Sequence, residues 1–232
     1  MKTVNIALLG FGTVGSGVYE AIRQNNDKYE KTLGLRLEIK KILVSNISKK
    51  RDIDTSLLTD NIDEAITDDI DIVIEVMGGI DFAKKCILTA FSKGKSVVSA
   101  NKDLIANFGK ELYEAADKNK VFFMYEASVC GGIPILRTIN EHLSSEQISE
   151  VTGIVNGTTN FILTKMYQKY GLTFDTVLSE AQELGYAEAD PTADVEGLDA
   201  ARKVAILASL CFSAYVTFDD VYTEGITKIS PE

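Results

Sequence analysis

The sequence predicts an α/β fold with a doubly wound parallel sheet, followed by a second, α+β domain. Three observations carry this expectation. Short β-branched runs alternate with helix-like stretches through the first half of the chain, as βαβ units require. Those runs are almost continuously apolar, which suits strands covered by helices on both faces. A glycine-rich turn leaves the first run and opens the first helix.

The first strand is Val4-Asn5-Ile6-Ala7-Leu8-Leu9, and its helix spans 14–25. A second strand covers 35–44, with Leu35, Leu37 and Ile39 in alternation. Further strands are expected at 71–76, 96–99 and 121–125, with helices at 81–93 and 108–119. After Glu126 the character changes. Gly131-Gly132-Ile133-Pro134 breaks the chain, and Pro134 suits the first turn of a helix running to about 143. Residues 151–155 are expected to form a strand. Asn156-Gly157-Thr158-Thr159 is a turn able to cap a helix ending at about 170. A helix at 173–184, a polar acidic loop at 185–197 and a helix at 198–212 complete the reading. The boundary falls near 127–132, giving domains 1–130 and 131–232.

Composition narrows the function classes. A chain of 232 residues suits one large or two modest domains, and 45% hydrophobic content is enough for a core. The net charge of −10 argues against non-specific nucleic-acid binding. The only basic cluster, Lys49-Lys50-Arg51, is sized for one phosphate. Cys86, Cys130 and Cys211 have no metal-ligand spacing and read as reduced, mostly buried thiols of a cytoplasmic protein. The apolar start is too short for a signal sequence, and 205–216 is too short to span a membrane.

Four motifs carry chemistry. In Gly10-Phe11-Gly12-Thr13-Val14-Gly15 the glycines permit a tight turn, close approach of a pyrophosphate and helix-on-strand packing. The helix N-terminus then offers N–H groups to phosphates. The second strand ends in Val44-Ser45-Asn46, without the carboxylate that an NAD ribose requires. The Lys49-Lys50-Arg51 run leans toward a 2′-phosphate and NADP, or is a solvated loop tip. In Ser99-Ala100-Asn101-Lys102, a lysine stands at the carboxyl end of a strand, where open α/β sheets bind ligands. Finally, Gly185-Tyr186-Ala187-Glu188-Ala189-Asp190-Pro191 precedes Asp194, Asp199 and Lys203. Those carboxylates suit a substrate ammonium group. Asp199 and Lys203 share a helix face at i,i+4 spacing, either as an ordinary salt bridge or as a catalytic lysine with its partner. His142 is the only histidine, and Cys130 reads as a packed thiol at the domain junction rather than a nucleophile.

Together these segments resemble homoserine dehydrogenase. The likeness rests on the glycine motif, Ala100-Asn101-Lys102, 126–134, 153–160, 184–191 and 194–203, and it runs the length of the chain. It implies NAD(P)H-dependent interconversion of L-aspartate 4-semialdehyde and L-homoserine, on the route to threonine and methionine. It implies Lys203 as catalytic acid/base, with Asp199 and Glu188 binding substrate and Lys102 between substrate and cofactor. Gly10, Phe11, Gly12, Thr13, Val14, Gly15, Ser99, Lys102 and Gly185 would contact the cofactor. Glu126 and the carbonyls of Val129, Gly131 and Ile133 would hold a monovalent cation, usually sodium, a sensible oxygen set for a hard ion. A homodimer is implied as well.

Two departures stand out. Many relatives have Arg-Asp where this chain has Ser45-Asn46, and the family's catalytic domain normally continues beyond Ser230-Pro231-Glu232. The readings left open are an active dehydrogenase, a fragment that binds nucleotide without turnover, and another Rossmann oxidoreductase. The phosphorylating semialdehyde dehydrogenases need a cysteine nucleophile with a histidine base, a poor match to Cys130 and His142.

Overall fold

The computed structural model describes residues 1–169 and 171–230. The chain divides into two compact units, Met1–Ser128 and the residues from Val129 onward. In the first, six parallel strands run in the order β3-β2-β1-β4-β5-β6, namely β1 (Lys2–Leu9), β2 (Leu35–Leu43), β3 (Leu58–Thr59), β4 (Ile72–Glu75), β5 (Ser96–Ser99) and β6 (Phe123–Met124). The connecting helices are α1 (Thr13–Leu33), α2 (Ile62–Ala65), α3 (Asp81–Ser92) and α4 (Lys102–Lys118).

The apolar runs explain the layers. Successive residues of β1 serve opposite faces, as a strand's period of two demands. Ala7 and Leu9 join Val73, Val97, Ile87, Phe91, Leu104 and Leu112 in the larger core. Leu8 joins Ile42 and Val44 in the other, under Phe11, Val18 and Tyr19 of the first turn and α1. All of Ala7, Leu8 and Leu9 are fully buried.

Strand order reverses between β1 and β4, and there the glycine turn sits. Gly10 has φ +103°, and a side chain on it would press on Val76 O at 2.8 Å. A Cβ on Gly15 would lie 2.2 Å from Gly10 O. Helix can therefore follow strand this closely only with glycine at both positions.

Several elements run beyond the sequence reading. α1 continues to Leu33 and ends on Gly34 at φ +66°. α4 starts at Lys102 rather than 108, because the Asn101 side chain accepts a hydrogen bond from Leu104 N and caps it. β3 and α2 were not expected; both are too short to show a periodic pattern.

The second unit contains α5 (Ile135–Arg137), a π-turn at Thr138–His142, α6 (Gly157–Gln168), α7 (Phe174–Glu183), α8 (Thr192–Val195) and α9 (Leu198–Cys211). The helix expected from 134 to 143 thus loosens into i→i+5 bonding after one turn. α6 ends at Gln168; Tyr170, the expected end, lies outside the described residues, as do Pro231 and Glu232. The acidic loop expected at 185–197 contains α8. The core joins Ile162 and Met166 of α6, Val177 and Ala181 of α7, Ala187 and Val195. The strand expected at 151–155 is corrected: the segment is mostly exposed and has no strand pairing. A strand needs a neighbour for its N–H and C=O groups, and no paired strand occurs among the described residues of this unit. No described helix is long and apolar enough to cross a membrane.

The close packing at Gly15 yields a contrast. Gly15→Ala is expected to lower the unfolding free energy in urea by about 2 kcal/mol or more. Gly12→Ala, whose Cβ would meet nothing within 4 Å, should stay within about 1 kcal/mol of the parent. Equal effects would contradict the packing described.

Candidate active site

Both units carry clusters of candidate residues. In the first unit the glycine turn leaves Gly12 and Thr13 exposed at the carboxyl edge of the sheet. No side chain caps the N-terminus of α1, where Gly12 is the cap residue. Unsatisfied N–H groups at such an end attract phosphate. Beside it lies a cavity of about 940 Å³ lined by Phe11, Gly12, Thr13, Ser16, Arg23, Lys49 and Arg51, among others. These residues fit an adenine dinucleotide: open backbone donors at the turn and cationic groups farther out. The Arg51 guanidinium donates to Asn46 O at 2.8 Å and to Lys49 O at 3.0 Å, which folds the basic run back onto the end of the second strand.

The strand ends β4 and β5 hold an unexpected residue. Glu75 pairs in register with Ser99 and is fully buried. Its Oε2 accepts from Ser99 Oγ at 2.6 Å, and its Oε1 accepts from Met77 N at 2.8 Å. Ser99 Oγ in turn accepts from Asn101 N at 3.1 Å. The Ser99 side chain therefore faces inward, and any cofactor contact it makes comes from its backbone. Lys102, half-buried, opens α4 immediately after the Asn101 cap. Burial pushes the Glu75 carboxyl above its ordinary value, while hydrogen bonds from Ser99, Met77 and Asn101 oppose that shift. Burial, aided by the nearby Glu75 charge, raises the Cys86 thiol to about 11. Such a thiol is a packing group rather than a nucleophile. Cys130 and Cys211 are only half-buried, so the three thiols are less uniformly enclosed than the sequence implied.

In the second unit, α9 carries Asp199 in its first turn and Lys203 one turn later. Lys203 Nζ lies 2.5 Å from Asp199 Oδ2 and 2.6 Å from Val155 O. Their side chains are only 15% and 6% exposed. A buried pair of this kind needs extra donors to offset desolvation. Asn156 supplies them: its Nδ2 donates to Asp199 Oδ2 at 2.9 Å and to Asp194 Oδ1 at 2.7 Å. Its Oδ1 accepts from Thr159 N at 2.8 Å, capping α6. The sequence suggested the cap; the grip on two carboxylates was not legible, since they lie 38 and 43 residues away. Gly185, at φ +77°, follows α7 and is exposed, as is Glu188, whose carbonyl accepts from Gln182 Nε2 at 3.1 Å. The polar loop and α9 thus place Asp194, Asp199 and Lys203 in one hydrogen-bonded group, with Glu188 on the loop that leads to it.

The expected cation ligands are divided between the units in sequence. Glu126 lies in a 3-10 turn, Glu126–Ser128, at the end of the first. Val129, Gly131 and Ile133 begin the second, where Cys130 at φ +53° and Gly132 at φ +85° fold a turn closed by Ile133 N donating to Cys130 O at 2.8 Å. Ile133 O accepts from Ile135 N at 2.8 Å and keeps its second lone pair. Among the described residues, no three His, Cys, Asp or Glu side chains group as metal ligands.

Two family models match the chain, the homoserine dehydrogenase NAD-binding domain over residues 10–126 and the homoserine dehydrogenase model over 134–232. A homoserine dehydrogenase of Bacillus subtilis strain 168 is 52% identical across 100% of this chain and 54% of its own length. The chain spans about half the length of the curated relatives it matches. A crystal structure of a homoserine dehydrogenase from Thiobacillus denitrificans superposes with a TM-score of 0.91 at 42% identity, covering 99% of this chain and 53% of the other. A hyperthermophilic archaeal homoserine dehydrogenase in complex with NADPH gives 0.82 at 28% identity, covering 99% and 76%.

Glu75 gives a pH prediction. A carboxyl whose folded value is raised contributes stability below its ordinary value of 4.5, and that contribution is lost as pH rises through the raised value. Glu75→Gln cannot ionise. Its unfolding free energy should therefore gain on the parent's as pH rises from about 4 to about 8 in urea titrations. A constant gap would contradict the burial argument.

Proposed function

The chain belongs to the homoserine dehydrogenase family, and from that premise we propose that it catalyses NAD(P)H-dependent interconversion of L-aspartate 4-semialdehyde and L-homoserine. The single observation that carries this reading is the buried Asp199–Lys203 pair, held by Asn156 and Val155 O. A lone surface salt bridge would not need such support.

The roles proposed here combine the family resemblance with this geometry. When bound, the nicotinamide supplies hydride to the aldehyde carbon. A lysine ammonium has three donors; Asp199 and Val155 O take two of those on Lys203, leaving one to reach a substrate oxygen. Lys203 then gives its proton as the alkoxide develops, and takes it back in the oxidative direction. Asp199 keeps the ammonium aimed and, with Glu188, receives the substrate's amino group. Lys102, at the carboxyl edge of the sheet, meets anionic charge on substrate or cofactor. The turn from Gly10 to Gly15 receives the pyrophosphate, and Gly185 adds a backbone contact. On this reading the cofactor domain is the one expected at 1–130 and the substrate domain the one expected at 131–232, the compact units dividing two residues earlier.

Lys49 and Arg51 in the cavity wall favour NADPH over NADH, because they offer cationic groups to a 2′-phosphate. Glu126 with the Val129, Gly131 and Ile133 carbonyls would hold a structural monovalent cation, probed with sodium. The same family reading carries a homodimer, a place in threonine and methionine biosynthesis and a cytoplasmic setting, which suits three unpaired thiols.

The test is cofactor oxidation with L-aspartate 4-semialdehyde, run with NADPH and NADH in parallel. The proposal expects turnover, faster with NADPH, and a fall of about 100-fold or more in Lys203→Ala with nucleotide affinity kept. Nucleotide binding without turnover would favour a binding-only role for the 232-residue chain. Turnover unchanged in Lys203→Ala would remove the lysine from the mechanism.

A further inference from the structure

We propose that Glu75 is a positioning residue for the nicotinamide cofactor, its carboxylate locking together the two loops that edge the cofactor site. The inference rests on the cofactor reading above and adds a residue to it.

The position is costly for a carboxylate. Glu75 is fully buried on the face of β4 that also presents Val73, one strand from Ser99, which follows Val97 on the same face of β5. An apolar side chain would suit those neighbours, and burial raises the Glu75 carboxyl accordingly. What the carboxylate gains is a continuous chain of hydrogen bonds. It accepts from Met77 N, at the start of the 76–80 loop, and from Ser99 Oγ. Ser99 Oγ accepts from Asn101 N. Asn101 caps α4 through Leu104 N and donates its Nδ2 to Gly79 O at 2.8 Å, returning to the first loop. The next residue is Lys102.

The same loop backs the glycine turn. A Cβ on Gly10 would lie 3.1 Å from Met77 Cγ and 2.8 Å from Val76 O. One side chain therefore connects the phosphate-binding turn, the 76–80 loop and the start of α4. An acceptor-only group is what the two converging donors require. Glutamine has the same size but turns an NH₂ toward either Met77 N–H or the Ser99 hydroxyl, and one link is lost.

The experiment uses the whole chain and NADPH as the probe. NADPH affinity is measured by nicotinamide fluorescence for the parent, Glu75→Gln, Ser99→Ala and the double variant. Amide exchange is followed at Met77 and Asn101, and urea unfolding at neutral pH. We expect about tenfold weaker NADPH binding in each single variant, no further loss in the double variant, and faster exchange at both amides. The unfolding midpoint of Glu75→Gln should not fall below the parent's, which separates positioning from general destabilisation. Unchanged affinity, losses that add in the double variant, or weakening that merely tracks a lowered midpoint would each overturn the proposal. A parent that binds no NADPH would overturn the cofactor reading. In that case amide exchange still judges Glu75: unchanged protection at Met77 and Asn101 removes its role in holding the loops.

Discussion

The structure depends first on how closely α1 follows β1. With Gly15 against Gly10 O, the helix starts directly above the sheet edge, at the point where strand order reverses. That placement aims the open end of α1 at the crevice and sets Lys49 and Arg51 along the cavity beside it. A β-carbon at Gly15 would push the helix away, and the open N-terminus of α1 would leave the sheet edge with it. The contact acts together with the parallel crossovers, each of which delivers its loop to the same edge.

Two buried carboxylates then divide the remaining work. Asp199 meets the Lys203 ammonium, which is also bound to the Val155 carbonyl, and an Asn156 amide donor, so its charge is paired as well as hydrogen-bonded. Glu75 is held by neutral donors, a serine hydroxyl and a backbone N–H, and joins loops instead of meeting substrate. The contrast is chemical. A carboxylate beside a cation has its charge compensated, whereas a carboxylate between neutral donors fixes geometry at the expense of desolvation.

Much of this was legible in the residues. The apolar runs located five of the six strands, and the glycine motif located the turn between β1 and α1. Asp199 and Lys203 were visible from i,i+4 spacing, because a helix converts that interval into a shared face. Glu75 was hidden in a run of β-branched residues. A charged residue closing a strand that is otherwise buried on both faces was the available signal. Asn156 showed only its local role, since capping depends on neighbours in sequence and its carboxylate contacts do not. The 151–155 segment failed as a strand for a related reason: composition favours extension, but pairing is a property of a partner. α4 begins at Lys102 because Asn101 caps it and Leu104 and Ile105 are already buried in its first turn; the backbone departs from helical angles at Phe108, near where the sequence reading began the helix.

The central claim is that a nicotinamide dinucleotide binds along the carboxyl edge of the sheet at the Gly10 turn. A titration of the ¹⁵N-labelled chain with NADPH tests it most directly. The account predicts saturable shifts at the amides of Phe11, Gly12, Thr13 and Val14, extending to Arg51. Saturation with those amides unmoved, or no saturable change at all, would contradict it.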